Sequence, residues 1–484
     1  MDSTLSKKTV GNATILTLGA AAEMVLQVFF LLIAGRELGP EEFGFYGYVL
    51  SLVMIASAIA HFGLPVMAVR EITQRPFEEK EIFAATFRIR SILAVAFFVG
   101  AVLIGGFTSR DVAHRWTMWL MFAYLLCLPF DLAFLFDARK MSRWDVPGRI
   151  VGRLVSVAVL VLLWWQRGRL SVVDVALCSS LLMVVNVVIA WGIAFRLDFG
   201  LRPLAVTREA WKLTRLSVPI VWSNVLTLAY SQGQTVLVKW LSTALQTGFY
   251  ALAIRLFTPI LIFKGVLYRV LLPLVSEVGR DREALTTRLE HIFPALSLIF
   301  MPAVGLGIPA AQVLIVPLFG VEYAGAVLPF QIILGHMLLT GMGSTFGGAL
   351  LASGDARTPT VGLTVGCVFS LLVSALLIPR FGAVGAAVAA CVGEVVSVVY
   401  AIPKFLRISR PRVAGRLSRI AASSIAGCIA FFGITAVSWM PEAAALGLSS
   451  LVILAGLGLS GEIRRDRVRT MIALFKKDSG GSVR

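Results

Sequence analysis

Apolar residues along this chain run in blocks of about 20, the length a helix needs to cross the hydrocarbon layer of a bilayer, and charges, proline or glycine separate the blocks. Fourteen can be drawn, near residues 13–34, 45–64, 91–107, 117–136, 151–166, 173–195, 217–240, 249–273, 292–309, 326–351, 360–378, 384–405, 418–438 and 444–461. The stretch 309–325 is apolar but short and bounded by proline, so it is expected at an interface rather than across the bilayer. The pattern predicts an all-α polytopic membrane protein with 14 transmembrane helices.

The chain also resembles itself. Phe43-Gly44-Phe45-Tyr46 opens the second block and Thr247-Gly248-Phe249-Tyr250 the eighth, an offset of 204 residues. Both follow a short outer loop, begin a helix running inwards and end at a proline, Pro65 or Pro273. The expectation is two six-helix lobes in parallel pseudo-repeat, residues 1–210 and 211–406. A third part, 407–484, holds two C-terminal helices and a basic tail after the linker RISRPRVAGR.

Composition agrees: 58% of the 484 residues are hydrophobic and 15% charged, too apolar for a disordered tail or a cytosolic enzyme. The net charge of +17 would suggest a nucleic-acid partner in a soluble chain, but its placement argues otherwise. With the N-terminus inside, 34 of the 44 Lys and Arg fall in inner segments, six in outer ones and four in or at the ends of spans. Basic residues in short loops are retained on the cytoplasmic side. The reading is a multi-pass protein of the plasma (inner) membrane with both termini cytoplasmic, its excess charge facing membrane lipids rather than nucleic acid. The first block follows Lys7 and Lys8 without a cleavage pattern and reads as an uncleaved span. Cys127, Cys178, Cys367, Cys391 and Cys428 all lie in apolar blocks without C-x-x-C spacing, so they are packing residues and imply no metal. Loops are short, the longest being the inner segments 65–90 and 196–216, and carry no phosphate-cradling or metal-binding motif. No enzyme activity and no cofactor is expected.

An ionisable group at bilayer depth costs roughly 2.5–3.5 kcal/mol on insertion scales, which makes such residues candidates for function. Glu23, Asp131 and Glu394 are the acidic ones and are read as ion-coupling candidates, with packing or ion pairing as the alternative. Arg255, Lys264 and Arg269 share the eighth block. A straight helix puts Arg255 about 9 Å and Lys264 about 22 Å from its outer end, on opposite faces, with Arg269 serving as an anchor at the inner surface. Asn224, Gln232 and Gln234 form a polar stripe that would suit sugar hydroxyls or neighbouring helices. His61 and His336 read as packing histidines. Cations on the eighth block suit an anionic cargo such as a phosphate or pyrophosphate.

Several stretches resemble the oligosaccharide and polysaccharide flippases of the multidrug, oligosaccharidyl-lipid and polysaccharide exporter superfamily. They are GRELGPEEFGFYGYVLSLVMIASAIAHFGLPVMAVRE (35–71), PFDLAFLFDARKMSRWDVPGRIVGRLV (129–155), GFYALAIRL (248–256), LFGVEYAGA (318–326) and LIPRFGAVGAAVAACVGE (377–394). The resemblance implies transfer of a glycan linked to undecaprenyl diphosphate, or a similar lipid, by alternating access between the lobes. It also implies Arg70 as an inner-gate residue and Arg255 as a cavity residue. Gln234-Thr235 stand where many relatives carry an Asp beside a basic residue, and Glu23 stands where relatives that carry the peptidoglycan precursor offer arginines. The expected substrate-binding set is Arg255, Lys264, Asn224, Gln234 and Arg70. Expected partners are a lipid-linked oligosaccharide, H+ or Na+, and a polysaccharide polymerase or glycosyltransferases. The rival expectations are an ion-coupled multidrug antiporter of the same superfamily and a non-transporting scaffold of a polysaccharide synthase.

Overall fold

The computed structural model describes residues 2–108, 111–201, 209–258, 275, 281–437, 442–460 and 462. Among them the chain is helical, with turns and no strand. Nine of the described helices are long and apolar enough to cross a membrane. Two of the nine, Leu18–Gln74 and Arg357–Ile408, each cover two of the predicted blocks. The protein is an all-helical integral membrane protein that packs as two compact units, Met1–Lys239 and Trp240–Arg484.

The first unit holds α1 (Asp2–His61), α2 (Leu64–Gln74), α3 (Glu79–Thr108), α4 (Val112–Cys127), α5 (Ala133–Ala138), α6 (Val146–Arg167), α7 (Val172–Arg196) and α8 (Glu209–Leu241). Two arms of α1 meet at Gly39, whose φ of 67° favours glycine, and Pro40 opens the second arm. Ser171 and Asp174 start α7 with a reciprocal capping box. Small residues decide how α6 lies on α7. A methyl group at Gly152 would stand 2.6 Å from the Leu182 carbonyl oxygen, and one at Gly148 2.3 Å from Asn186 Oδ1. One turn further, the Ser156 hydroxyl donates to the Cys178 carbonyl at 2.7 Å. Positions 148, 152 and 156 recur every four residues, so one face of α6 is pressed against α7.

Three expectations are corrected in this unit. The segment 65–90 is not an extended inner loop: α2 buries Leu64, Met67, Ala68 and Ile72 on one side, and α3 already begins at Glu79. The fourth block is not continuous, because α4 ends at Cys127, a short 3-10 turn follows at Leu128–Phe130, and α5 resumes at Ala133. The fifth starts five residues earlier than its apolar run, since glycine packing carries the helix back past Arg149.

In the second unit, residues 244–258 form α9, followed by α10 (Arg282–Phe319), α11 (Val327–Ala352), α12 (Arg357–Ile408), α13 (Ala414–Val437) and α14 (Glu442–Leu459). The ninth block does not end at Pro309: α10 runs on to Phe319, so the stretch 309–325 is the end of that helix and then a 3-10 turn, Val321–Ala326. A proline removes one backbone donor, but the other groups must still be paired in lipid, so the helix runs on through Pro294, Pro302, Pro309 and Pro317. Gly382, at φ 53°, divides α12 into two arms, and Gln246 Oε1 accepts from the Ala383 amide at 2.9 Å beside it. The arms pack closely, since a methyl group at Gly366 would lie 2.5 Å from the Gly393 carbonyl oxygen. Between α11 and α12 the Thr358 hydroxyl and amide donate to Asp355 at 2.6 and 3.0 Å, and together with Lys404 they hold its carboxyl below the usual range. Glu462, buried, accepts from Arg416 and Arg419 and ties the end of α14 to the start of α13.

Candidate functional site

Two arginine centres lie inside the first unit. The first is Arg90 on α3, fully buried among Phe83, Phe87, Leu132 and Phe134. Its Nη1 donates to the Asp131 carbonyl at 3.2 Å, its Nη2 lies 3.5 Å from Asp131 Oδ2, and its guanidinium sits 6.0 Å from the Phe134 ring centroid. Asp131 occupies the break between α4 and α5, and its Oδ1 accepts from the Ala133 amide at 3.1 Å. Arg90 therefore supplies hydrogen bonds that the broken helix would otherwise lack.

The second centre is on α6. Arg149 and Arg153 are one turn apart and share a face 100° round from the glycines that hold α6 to α7. That face meets the first arm of α1: Gly19 abuts Val146, where a methyl group would come 2.4 Å from Val146 Cγ1, and Glu23 stands one turn further on, 3.6 Å from Arg149. Because 19 pairs with 146 and 23 with 149, the first arm of α1 and α6 run in the same direction. Asp145, leading into α6, forms an ion pair with Arg149, its Oδ2 lying 3.1 Å from Nε. Arg153 is different. It is half-buried and forms no ion pair with a described residue, while the Nε atoms of both arginines lack a hydrogen-bond partner among them. Glu23, Tyr46 and Tyr124 lie within its electrostatic reach.

The expected site residues are distributed as follows. Glu23 is in this cluster, and Asp131 is in the Arg90 seat. Arg70 is exposed on α2. Gln234 is buried at 1% exposure, Gln232 accepts from the Ser51 hydroxyl at 3.0 Å, and Asn224 is exposed, so the three amides do not share one surface. In the second unit Arg255 is half-buried on α9, while Glu394 on α12 lies 3.8 Å from His336 Nε2 on α11. His336 also meets the edge of Phe257, ring centroids 6.2 Å apart. Lys264, with Arg269 and Pro273, lies outside the described residues. Arg149 and Arg153 were missed because counting charges placed them in an inner loop. The signal was present in GRIVGR, two glycines four apart, each directly followed by an arginine.

Residues 9–279 match the profile of the family described as polysaccharide biosynthesis protein, and they make up more than half of the chain. The chain belongs to that family. Family membership covers both arginine centres and the α1–α6 contact. A curated relative, the probable low-salt glycan biosynthesis flippase Agl15 of Haloferax volcanii, is 23% identical over 398 residues, 79% of each chain. Among solved structures, the lipid II flippase MurJ in an inward closed conformation matches with a TM-score of 0.71 at 11% identity, covering 93% of this chain and 99% of MurJ. A multidrug resistance MATE family transporter of the MOP superfamily, inward-facing, matches at 0.64 and 16% identity, covering 80% of this chain and 94% of its own. Together these likenesses establish the fold as that of the exporter superfamily which the sequence resembles.

Proposed function

We propose that this protein flips a lipid-linked, diphosphate-bearing oligosaccharide across the plasma membrane for surface polysaccharide synthesis. Its 14 spans form two six-helix lobes and a C-terminal pair, with both termini cytoplasmic, and the lobes alternate access to the two sides. The lipid tail stays in the bilayer while the headgroup crosses. The observation that carries this reading is Arg153: a half-buried basic side chain on a helix long and apolar enough to cross a membrane, positioned by packing and in an ion pair with none of the described residues. Such a cation is expensive unless an anion joins it, and a diphosphate offers oxygens for bidentate binding. The family and the flippase relatives support the same cargo class. Arg255 and Lys264 are further candidates for the diphosphate, Asn224 meets sugar hydroxyls, and Arg70 serves the inner gate.

The test is translocation in proteoliposomes, scored as protection of a labelled lipid-diphosphate oligosaccharide from a reagent added outside. Arg153→Gln is expected to slow translocation by about tenfold or more, the worth of a charge-assisted hydrogen bond. An unchanged rate would overturn the assignment of Arg153. No translocation by the wild-type protein, with a cationic dye moved instead, would favour the multidrug antiporter whose fold the chain shares. Neither activity would favour the scaffold.

A further inference from the structure

Three consecutive residues of α7 tie it to three other helices of the first unit. The Cys178 carbonyl accepts from the Ser156 hydroxyl of α6 at 2.7 Å, and the Ser179 hydroxyl meets the Tyr46 hydroxyl of the second arm of α1 at 2.9 Å. The Ser180 hydroxyl donates to the Leu120 carbonyl of α4 at 2.7 Å. Successive positions on a helix diverge by 100°, which lets neighbours in sequence reach separate helices. These ties frame the Arg153 side of α6: Ser156 lies one turn beyond Arg153, and Leu120 one turn before Tyr124. Tyr46 and Tyr124 are both within the electrostatic reach of Arg153.

The two phenols differ in how their hydroxyls are used. Ser179 donates its one hydrogen to the Val175 carbonyl at 2.8 Å, so Tyr46 is the donor to Ser179 and its own hydrogen is committed. Tyr124 is half-buried, and its hydroxyl makes no hydrogen bond with a described residue. The charged groups within its reach are Asp131, Arg90 and Arg153. Asp131 is already paired with Arg90 and accepts from the Ala133 amide, which leaves Arg153. A phenol with an unused hydrogen and a guanidinium without an ion pair are two donors that lack an acceptor they could share. We propose that Tyr124 donates to a phosphate oxygen of the cargo's diphosphate beside Arg153, while Tyr46, tied to Ser179, keeps that side of the site in place. An anionic phosphate oxygen has lone pairs for both donors, and a hydrogen bond to it is stronger than one to a neutral sugar hydroxyl. The phenol also adds no charge, so it strengthens the site without making the empty site costlier in lipid. This rests on the flippase reading above and deepens it: α4 and α6 each supply one donor to the diphosphate, and Tyr124 discriminates for phosphate rather than for the glycan.

Isothermal titration of the purified protein with geranylgeranyl diphosphate, and with geranylgeraniol as the same tail without phosphate, reads this contact. Tyr124→Phe removes only the oxygen. It should weaken binding of the diphosphate about tenfold, as expected for a hydrogen bond to a charged group, and leave binding of the alcohol unchanged. Thermal unfolding of the unliganded Tyr124→Phe protein should match wild type, because no bond within the protein is lost. Tyr46→Phe, which does lose one, should unfold at a lower temperature. Undiminished diphosphate binding by Tyr124→Phe overturns the role of Tyr124 and leaves the cargo assignment intact. Equal loss for both probes, or a fall in unfolding temperature as large as that of Tyr46→Phe, marks a structural tyrosine and likewise overturns it. Absence of diphosphate binding by the wild-type protein overturns both readings together.

Discussion

Arg90 and Arg153 are the same residue type in the same unit, yet they differ in what surrounds them. Arg90 has no exposure and is bonded to both the backbone and the carboxylate of Asp131. Arg153 has three titratable neighbours within reach and an ion pair with none of the described residues. One arginine completes a broken helix, and the other is held ready by a glycine-packed helix. A buried charge in a membrane protein is thus no sign of function until its partners are known; the incomplete one is where a ligand adds most.

The largest effect that separates them is on stability. Arg90→Ala leaves the Asp131 carboxylate and carbonyl without their donor, and breaking such a buried pair costs about 3–5 kcal/mol. Thermal unfolding of the purified protein should show a large fall for Arg90→Ala. Arg153→Ala, by contrast, should stay within about 0.5 kcal/mol of wild type. Equal destabilisation by both would erase the distinction.

A smaller effect probes how Arg153 is positioned. Gly152→Leu drives a side chain into the Leu182 carbonyl, and overpacking of this kind costs about 1–3 kcal/mol. It should tilt α6 from α7, carry Arg153 off its place and slow translocation, with some loss of thermal stability. Gly100→Leu, where a methyl group meets nothing within 4 Å, should change neither. Unaltered translocation in Gly152→Leu would separate the glycine face from the site.

Most of the fold was legible because lipid allows few solutions: apolar runs of sufficient length must be helical, and glycines at Gly39 and Gly382 mark where two runs meet. The break at Leu128–Asp131 was not legible, because its stability comes from Arg90, 41 residues away in sequence. Prolines misled in α10, where tertiary packing and the lack of water keep a helix that a soluble protein would end. Of the site, Glu23 was legible from its depth alone. Arg149 and Arg153 were hidden, because the apolar run starts between them and charge counting assigned both to an inner loop, while only the spacing of Gly148, Gly152 and Ser156 extends the helix back. Arg70 and Gln234 were read from resemblance and stripe, but α2 leaves the first exposed and α8 buries the second.

The central claim is that the Arg153 side of α6 borders water that a charged headgroup can enter. Thiol labelling measures this directly: Arg153→Cys and Val151→Cys, each in a chain freed of its five native cysteines, are exposed to an anionic, membrane-impermeant reagent. The account predicts that position 153 is labelled, while position 151, two residues away on the α6 surface, is not. Equal silence at both positions, or labelling of position 151 alone, would contradict it.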